Sequence, residues 1–256
     1  MIQMYKNTPL FYRSVGTGNP LVLLHGFLES SSIWNPFIEE LSQKRQVITI
    51  DLPGHGKSGN VDETHSMELM ADAVYEILTN LNIKKVTFIG HSMGGYVSLA
   101  FCKKFPILTK GLVLLNSTPE SDTEERKNNR DRAINIVRKS KDSYISMAIS
   151  NLLSEKNREL FPNELEKLKE DALSFSEEGI IAALRGMKIR TDESSTLTRY
   201  NGLKYIIAGV NDPVLNFSDA ERVAYITNCN FLSLSGGHLS LIENKNEMKK
   251  FLHLID

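Results

Sequence analysis

Short apolar runs alternate along the chain with longer stretches in which apolar residues recur at helical spacing. Within the runs, polar residues do not alternate with apolar ones, which is typical of strands buried on both faces of a parallel sheet. The pattern predicts strands at Leu21–Leu24, Val47–Ile50, Val86–Ile89, Leu112–Leu115, Leu203–Ala208 and Phe231–Leu234. It predicts helices between them near residues 36–44, 66–80, 94–104, 218–227 and 242–252.

Two earlier segments complete the expected sheet. Ile2–Tyr5 and Leu10–Val15 suit an antiparallel pair at one edge. The predicted fold class is therefore α/β, with a mostly parallel, eight-stranded sheet and helices on both faces. In such a sheet, ligands bind beyond the carboxyl ends of the strands, so the residues that follow each strand are the first candidates for chemistry.

The middle of the chain has a different composition. Residues 117–195 carry about half of all charged residues and only two glycines, and their apolar residues recur at helical spacing. We expect about four surface helices in this segment. Its cationic side chains Arg185, Lys188 and Arg190 are expected to be solvated surface.

Composition excludes several classes of protein. A net charge of −1 gives no basic footprint for nucleic acid, and the two cysteines are too few for a disulfide framework or a cysteine-based zinc site. No apolar run approaches the length of a bilayer span, and residues 1–6 lack the apolar core of a signal peptide. We expect a cytoplasmic monomer or homodimer with no metal, no membrane partner and no nucleic-acid partner.

The strongest chemical motif follows the strand Val86–Ile89. Gly90-His91-Ser92-Met93-Gly94 matches the pattern G-x-S-x-G, with a strand before it and a helical pattern after it. Glycines around the serine permit a sharp turn that lifts its hydroxyl above the sheet edge. Ser92 is therefore the candidate nucleophile.

Partners for this serine follow the last two predicted strands. Asp212 comes after Leu203–Ala208, and His238 comes after Phe231–Leu234 behind two glycines. A serine hydroxyl is a weak nucleophile at neutral pH, so a histidine must take its proton and a carboxylate must orient that histidine. The order Ser, Asp, His along the chain is the one expected for this arrangement.

Two backbone amides are candidates for stabilising a developing oxyanion. His25-Gly26-Phe27 follows the strand Leu21–Leu24, and its glycine lets the chain turn so that the Phe27 N–H can donate. The helix that starts after Ser92 places the Met93 N–H as the second donor. His25 is expected to hold the loop by hydrogen bonds.

These motifs together resemble the α/β-hydrolase superfamily over nearly the whole chain, including the segment Asp51–Ser58. The resemblance implies a Ser92, His238 and Asp212 triad with Phe27 and Met93 as the oxyanion amides. It also implies a hydrolase core at residues 1–116 and 196–256, with residues 117–195 inserted after the sixth strand as a helical lid.

A second glycine pattern is excluded by its context. Gly54–Gly59 satisfies G-x-G-x-x-G, but Asp51-Leu52-Pro53 separates it from the preceding strand and polar residues follow it where a dinucleotide site needs a helix. We therefore expect no cofactor.

The favoured function is cleavage of a small carboxylic ester or thioester through an acyl-enzyme on Ser92. A carbon–carbon bond hydrolase or a pathway-specific lyase with the same triad is an alternative, although Tyr96 stands where the menaquinone-pathway lyase typically has arginine. A non-catalytic ligand-binding receptor on this fold is the alternative from another class. Tyr144, Met147, Phe175 and Met187 are the candidate substrate-binding residues, all in the lid segment.

Overall fold

A computed structural model of the protein describes residues 1–153 and 155–255. In that part of the chain, eight strands form one sheet. The strands are β1 (Ile2–Tyr5), β2 (Thr8–Val15), β3 (Asn19–Leu24), β4 (Arg45–Ile50), β5 (Val86–His91), β6 (Thr109–Leu115), β7 (Leu203–Gly209) and β8 (Asn230–Leu234).

The sheet is parallel except at one edge. Its strand order is β1-β2-β4-β3-β5-β6-β7-β8, and β2 runs antiparallel to both β1 and β4. From β4 to β8 every neighbouring pair is parallel. The carboxyl ends of these strands therefore share one edge of the sheet. The predicted fold class and the predicted strands are confirmed.

Helices cover the sheet and fill the segment between β6 and β7. The first set is α1 (Asn35–Leu41), α2 (Met67–Asn80), α3 (Met93–Lys104), α10 (Phe217–Ile226), α11 (Ser240–Glu243) and α12 (Lys245–Leu254). The second set is α4 (Glu124–Lys139), α5 (Lys141–Ser150), α6 (Glu155–Leu160), α7 (Pro162–Leu173), α8 (Glu177–Ile189) and α9 (Ser194–Arg199).

The buried core lies between the sheet and the first set of helices. Strand residues such as Val22 and Phe88 are fully buried there, as are Trp34, Phe37 and Phe101 from the covering segments. The ring centroids of Phe88 and Phe101 are 4.7 Å apart, which places α3 directly against β5. This packing fixes the start of α3, and with it the position of Ser92.

The helical boundaries differ from the prediction in two places. The described part of the segment between β6 and β7 contains six helices where about four were expected. The helix predicted over 242–252 is divided at Asn244, whose side chain accepts a hydrogen bond from the Gly236 N–H (2.9 Å) and donates to the Ser235 hydroxyl (3.2 Å). These bonds hold the loop after β8, where His238 lies, against the break between α11 and α12.

Arg190 contradicts the expectation of a solvated side chain. Its guanidinium is 4% exposed, donates to Asp122 Oδ1 at 2.6 Å and lies 4.1 Å from the centroid of the Tyr96 ring. Burial alone would raise the pKa of Asp122, but the nearby Arg130 and Arg190 lower it overall. A buried carboxylate thus accounts for the buried arginine, because the two charges neutralise one another.

No helix within the described residues combines the length and the apolar character that crossing a bilayer requires.

Candidate active site

Three of the predicted site residues meet at the carboxyl edge of the sheet. The Ser92 hydroxyl is 3.0 Å from His238 Nε2, and His238 Nδ1 is 2.8 Å from Asp212 Oδ2. A carboxylate only accepts hydrogen bonds, so His238 Nδ1 carries the proton and Nε2 is left to accept from Ser92. The side chains form a continuous chain that can draw a proton from the serine.

Ser92 occupies a strained turn between β5 and α3. Its backbone has φ +50° and ψ −114°, a conformation that L-residues rarely adopt. The Ser92 N–H donates to the Leu115 carbonyl (2.9 Å), and the Ser117 hydroxyl donates to the Ser92 carbonyl (2.8 Å). Bonds on both sides of the residue therefore hold the strained conformation in place.

The glycines around Ser92 permit close backbone packing. A Cβ at Gly94 would lie 2.5 Å from the Leu24 carbonyl oxygen, and a Cβ at Gly90 would lie 2.3 Å from the Gly94 carbonyl oxygen. Because backbone atoms cannot give way easily, these positions exclude larger residues. The close packing brings the start of α3 against the loop that follows β3.

Asp212 is held by several donors. Its Oδ1 accepts from the N–H groups of Val214 (2.7 Å) and Leu215 (2.9 Å), and its Oδ2 accepts from Asn116 Nδ2 (3.1 Å) and from His238. Burial alone would raise the pKa of Asp212, but His238 and the two backbone donors lower it overall. The carboxylate is therefore ionised at neutral pH, as an orienting group must be.

The two predicted oxyanion amides lie on the elements that flank Ser92. Met93 is the first residue of α3, where an amide has no acceptor within its own helix. Phe27 lies in the loop after β3, beside Leu28, which has φ +60°. The N–H of Phe27 donates to no other described residue. Both amides are thus available to a bound oxyanion, and their role stays a prediction.

Comparison with known proteins identifies the family. The family model described as alpha/beta hydrolase fold matches residues 19–138. An esterase from Thermogutta terrifontis, solved with malate bound, is 30% identical, with 96% of this chain and 92% of the esterase covered and a TM-score of 0.90. The chain belongs to the α/β-hydrolase family.

Other members of the family match over different lengths. The enol-lactonase from Burkholderia xenovorans is 20% identical, has a TM-score of 0.91 over 99% of this chain and 98% of its own, and shares the fold. The (E)-2-((N-methylformamido)methylene)succinate hydrolase of Acinetobacter baylyi is 34% identical over 45% of this chain. This chain spans 44% of that hydrolase and 31% of three mycobacterial relatives.

In this α/β hydrolase, a buried ion pair lies behind the triad. His91 Nδ1 is 2.9 Å from Glu29 Oε2, and His91 Nε2 is 2.8 Å from the His238 carbonyl oxygen. Both partners accept hydrogen bonds, so His91 donates through both ring nitrogens and is an imidazolium. Burial alone would lower the pKa of His91, but Glu29 raises it overall.

The sequence gives little indication of this pair. His91 adjoins Ser92 in the sequence and contacts the backbone of the loop that carries His238. Glu29 also accepts from the Gly26 N–H at 2.6 Å, and a Cβ at Gly26 would lie 3.0 Å from both Glu29 Oε2 and His91 Nδ1. The only signal was an acidic residue close to the predicted oxyanion loop.

Asn116 directly follows β6 and cannot act as the acid, because an amide carries no charge. The structure places it beside the acid, where its Nδ2 donates to Asp212 Oδ2 and to the Gly237 carbonyl oxygen, both at 3.1 Å. It follows β6, on the same sheet edge, and has φ +46°. A polar residue directly after a buried strand was the signal that could have identified it.

His25 makes the hydrogen bonds that were expected of it. Its Nδ1 donates to the Gly26 carbonyl oxygen (2.7 Å), and its Nε2 accepts from the Leu52 N–H (2.9 Å). The ring is therefore neutral and joins the loop after β3 to the loop after β4. Burial lowers the pKa of His25.

The candidate substrate-binding residues fall in two places. Tyr144 and Met147 line a hollow between α4 and α5. The ring of Phe175 packs edge-on against that of His55, with 5.5 Å between the ring centroids. The His55 ring in turn packs against the Phe27 ring at a centroid distance of 6.0 Å, so Phe175 lies near the loop that contains Phe27. Met187 is buried in α8. Their contact with substrate, and the action of residues 117–195 as a lid, stay predictions.

The glycine pattern at residues 54–59 forms a loop around a carboxylate. Asp51 Oδ2 accepts from the Lys57 N–H at 2.8 Å, and a Cβ at Gly56 would lie 2.2 Å from the same oxygen. The next helix starts only at Met67. Within the described residues, no group of three or more His, Cys, Asp or Glu side chains is placed to hold a metal ion.

Proposed function

We propose that this protein is a serine hydrolase that cleaves a small carboxylic ester through an acyl-enzyme on Ser92. The observation that carries the proposal is the hydrogen-bonded chain from Ser92 through His238 to Asp212, at 3.0 and 2.8 Å. Such a chain activates a serine hydroxyl toward carbonyl carbon.

Acylation begins with attack of Ser92 Oγ on the ester carbonyl while His238 Nε2 takes the hydroxyl proton. Negative charge develops on the carbonyl oxygen, and the N–H groups of Phe27 and Met93 donate to it. The imidazolium then gives its proton to the departing alkoxide, which leaves as the alcohol. Asp212 stabilises the imidazolium throughout because it remains ionised.

Deacylation repeats these steps with water. His238 takes a proton from water, the hydroxide attacks the acyl carbon, and the tetrahedral intermediate expels Ser92. The proton returns to the serine and the carboxylic acid is released. None of these reaction steps needs a cofactor or a metal, so turnover should persist in the presence of a chelator.

The relatives support ester chemistry without fixing the substrate. The Thermogutta terrifontis protein is described as an esterase, and an enol-lactonase acts on a cyclic ester. Malate, bound to the Thermogutta terrifontis esterase, and the succinate derivative in the name of the Acinetobacter baylyi hydrolase are small dicarboxylic compounds. A small acyl group is consistent with all of these names.

A fluorophosphonate probe tests the proposal directly. Such probes react with an activated serine, and mass spectrometry of the digested protein locates the adduct. We expect an adduct on Ser92 that is absent from Ser92→Ala and strongly reduced in His238→Ala. Ser98→Ala is the matched control, because Ser98 lies in α3 and donates only to the Gly94 carbonyl oxygen (2.8 Å).

The outcomes separate the alternatives. An adduct on Ser92 with turnover of short 4-nitrophenyl esters supports the proposed function. An adduct without turnover of any ester or thioester would favour carbon–carbon bond cleavage by the same triad. Absence of an adduct on the folded protein would contradict the proposal and favour a ligand-binding receptor.

A further inference from the structure

A hollow of about 450 Å³ lies between α4 and α5. Part of its wall is apolar and comes from three helices. The apolar lining residues are Ala133, Ile136, Tyr144, Met147, Ala148 and Leu184. Tyr144 and Leu184 are buried, so the wall continues into the packed interior of the inserted helices.

The other wall of this hollow is cationic. Arg126, Arg130 and Arg132 line it, and no acidic side chain is among its described lining residues. Behind them, Asp122 is the shared partner of Arg126 (3.5 Å) and Arg130 (3.1 Å). Asp122 also binds the buried Arg190 at 2.6 Å. One carboxylate therefore faces three guanidinium groups and leaves a surplus of positive charge.

Two of the three carboxylates on α4 bind other cations, and the third, Glu125, is exposed and does not line the hollow. Glu124 pairs with Lys127 at 2.7 Å, and Asp131 pairs with Lys188 at 2.7 Å. Arg132, which is exposed, bonds only to the Asn129 side-chain oxygen (3.1 Å) among the described residues. The surplus charge therefore remains available to an anion that enters the hollow.

The segment that follows α5 connects the hollow with the candidate active site. Asn151 lines it directly after α5, and the carbonyl of the next residue, Leu152, accepts from the His238 N–H (3.3 Å). Leu184 lies on α8. This helix begins just after Phe175, whose ring packs against the ring of His55. The end of α5 therefore joins the hollow to the loop that carries His238.

We propose that this hollow binds the anionic end of the ester substrate, an inference that rests on the proposed function. Guanidinium groups bind carboxylates by charge-assisted hydrogen bonds, and the apolar wall accommodates a methylene chain. The substrate class is then a half-ester of an aliphatic dicarboxylic acid, with the ester carbonyl at Ser92 and the free carboxylate at Arg126 and Arg132.

A pair of esters that differ only in charge tests this inference. Mono-4-nitrophenyl adipate keeps a free carboxylate, and methyl 4-nitrophenyl adipate has the same chain without the charge. We expect the wild-type protein to have the higher kcat/KM for the charged ester. The ratio of the two kcat/KM values should fall about tenfold in Arg126→Gln and in Arg132→Gln, mainly through KM.

Arg138→Gln is the matched control, because Arg138 lies on the same helix, is exposed and is not part of this hollow. It removes the same charge from the protein and should leave the ratio unchanged. Added salt should reduce the preference of the wild-type protein, since the arginines are partly exposed.

Binding of adipate alone, measured by calorimetry, separates failure of this inference from failure of the proposed function. Adipate binding that weakens in Arg126→Gln and Arg132→Gln supports the anion site even if no ester is hydrolysed. An unchanged ester ratio, or adipate binding that these variants do not weaken, overturns the inference while leaving any turnover of neutral esters intact. An equal loss in Arg138→Gln overturns it too.

Discussion

Glu29 and His91 form an ion pair that is buried beneath the candidate active site, with 2.9 Å between Glu29 Oε2 and His91 Nδ1. The pair joins three loops, because Glu29 also binds the Gly26 N–H, His91 precedes Ser92, and His91 donates to the His238 carbonyl oxygen. The loop after β3, Ser92 and His238 are therefore positioned relative to one another by one charged contact.

Glu29→Gln removes one charge of this pair and leaves the size of the side chain almost unchanged. We expect the free energy of unfolding at pH 7 to fall by about 2 kcal/mol, because a buried charged partner is lost. Urea unfolding measures the change. Glu40→Gln is the matched control, since Glu40 pairs with His253 at the surface, where solvent screens the charges, and its loss should destabilise the fold much less.

The pH dependence of that difference follows from the raised pKa of His91. The pair contributes its full stability between the ordinary glutamate pKa of 4.5 and the ordinary histidine pKa of 6.5, and it loses that stability as pH rises through the raised pKa of His91. The difference in free energy of unfolding between the wild-type protein and Glu29→Gln should therefore become smaller as pH rises through the raised pKa of His91. A gap that stays constant or widens over that range would contradict the assignment of His91 as an imidazolium.

Asn116 positions the carboxylate of Asp212, so its replacement should change catalysis more than folding. Asn116→Asp puts a second carboxylate beside Asp212 Oδ2, where like charges cannot both be ionised without cost. We expect at least about a tenfold loss of kcat/KM at pH 7, together with a shift in the pH–rate profile.

Asn116→Gly is the companion variant, because glycine tolerates the φ of +46° and adds no charge, while the buried amide and its bonds to Asp212 and the Gly237 carbonyl are lost. Its rate should fall less than that of Asn116→Asp, and its pH–rate profile should keep its shape. Equal losses in the two variants with unshifted profiles would indicate a merely structural role for this residue.

His65 makes the fold sensitive to mild acid. Its Nε2 accepts from the Val61 N–H (3.2 Å), so the folded protein holds the neutral ring, and burial lowers its pKa to about 4. The unfolded chain binds a proton near pH 6.5, whereas the folded protein does not until about pH 4. Stability should therefore fall as pH drops through this interval, by up to about 1.4 kcal/mol per pH unit from this residue.

His65→Gln can keep an acceptor for the Val61 N–H and cannot titrate. Its free energy of unfolding should vary less between pH 6.5 and pH 4.5 than that of the wild-type protein, as followed by urea unfolding. His253→Gln, on the exposed end of α12, should retain most of the wild-type slope. If the free energy of unfolding varied equally with pH in the wild-type protein and in His65→Gln, the lowered pKa of His65 would be contradicted.

The contrast between what the sequence predicted and what it missed has a physical basis. Apolar runs such as Val86–Ile89 report burial, and each strand end then locates a residue on one sheet edge, so Ser92, Asp212 and His238 could be brought together. Glu29 and Arg190 were missed because a buried charge depends on one distant partner. Hydrophobic periodicity indicates which positions are buried, but it does not indicate which two charged side chains contact each other in the fold.

The last prediction concerns the turn that holds Ser92. In Gly94→Ala the new methyl group would lie 2.5 Å from the Leu24 carbonyl oxygen and 2.8 Å from the His25 carbonyl oxygen, so α3 must move away from the loop after β3. That movement would separate the Met93 amide from the Phe27 amide, and both kcat and thermal stability should fall. Gly111→Ala is the control in β6, where the three atoms nearest to the new methyl group all belong to side chains, the nearest being a Thr87 methyl at 3.0 Å. A side chain shifts more easily than two backbone carbonyls, so this variant should lose less activity on 4-nitrophenyl esters and less melting temperature. If the two variants were equally active, close approach of α3 to that loop would not be what sets the oxyanion geometry.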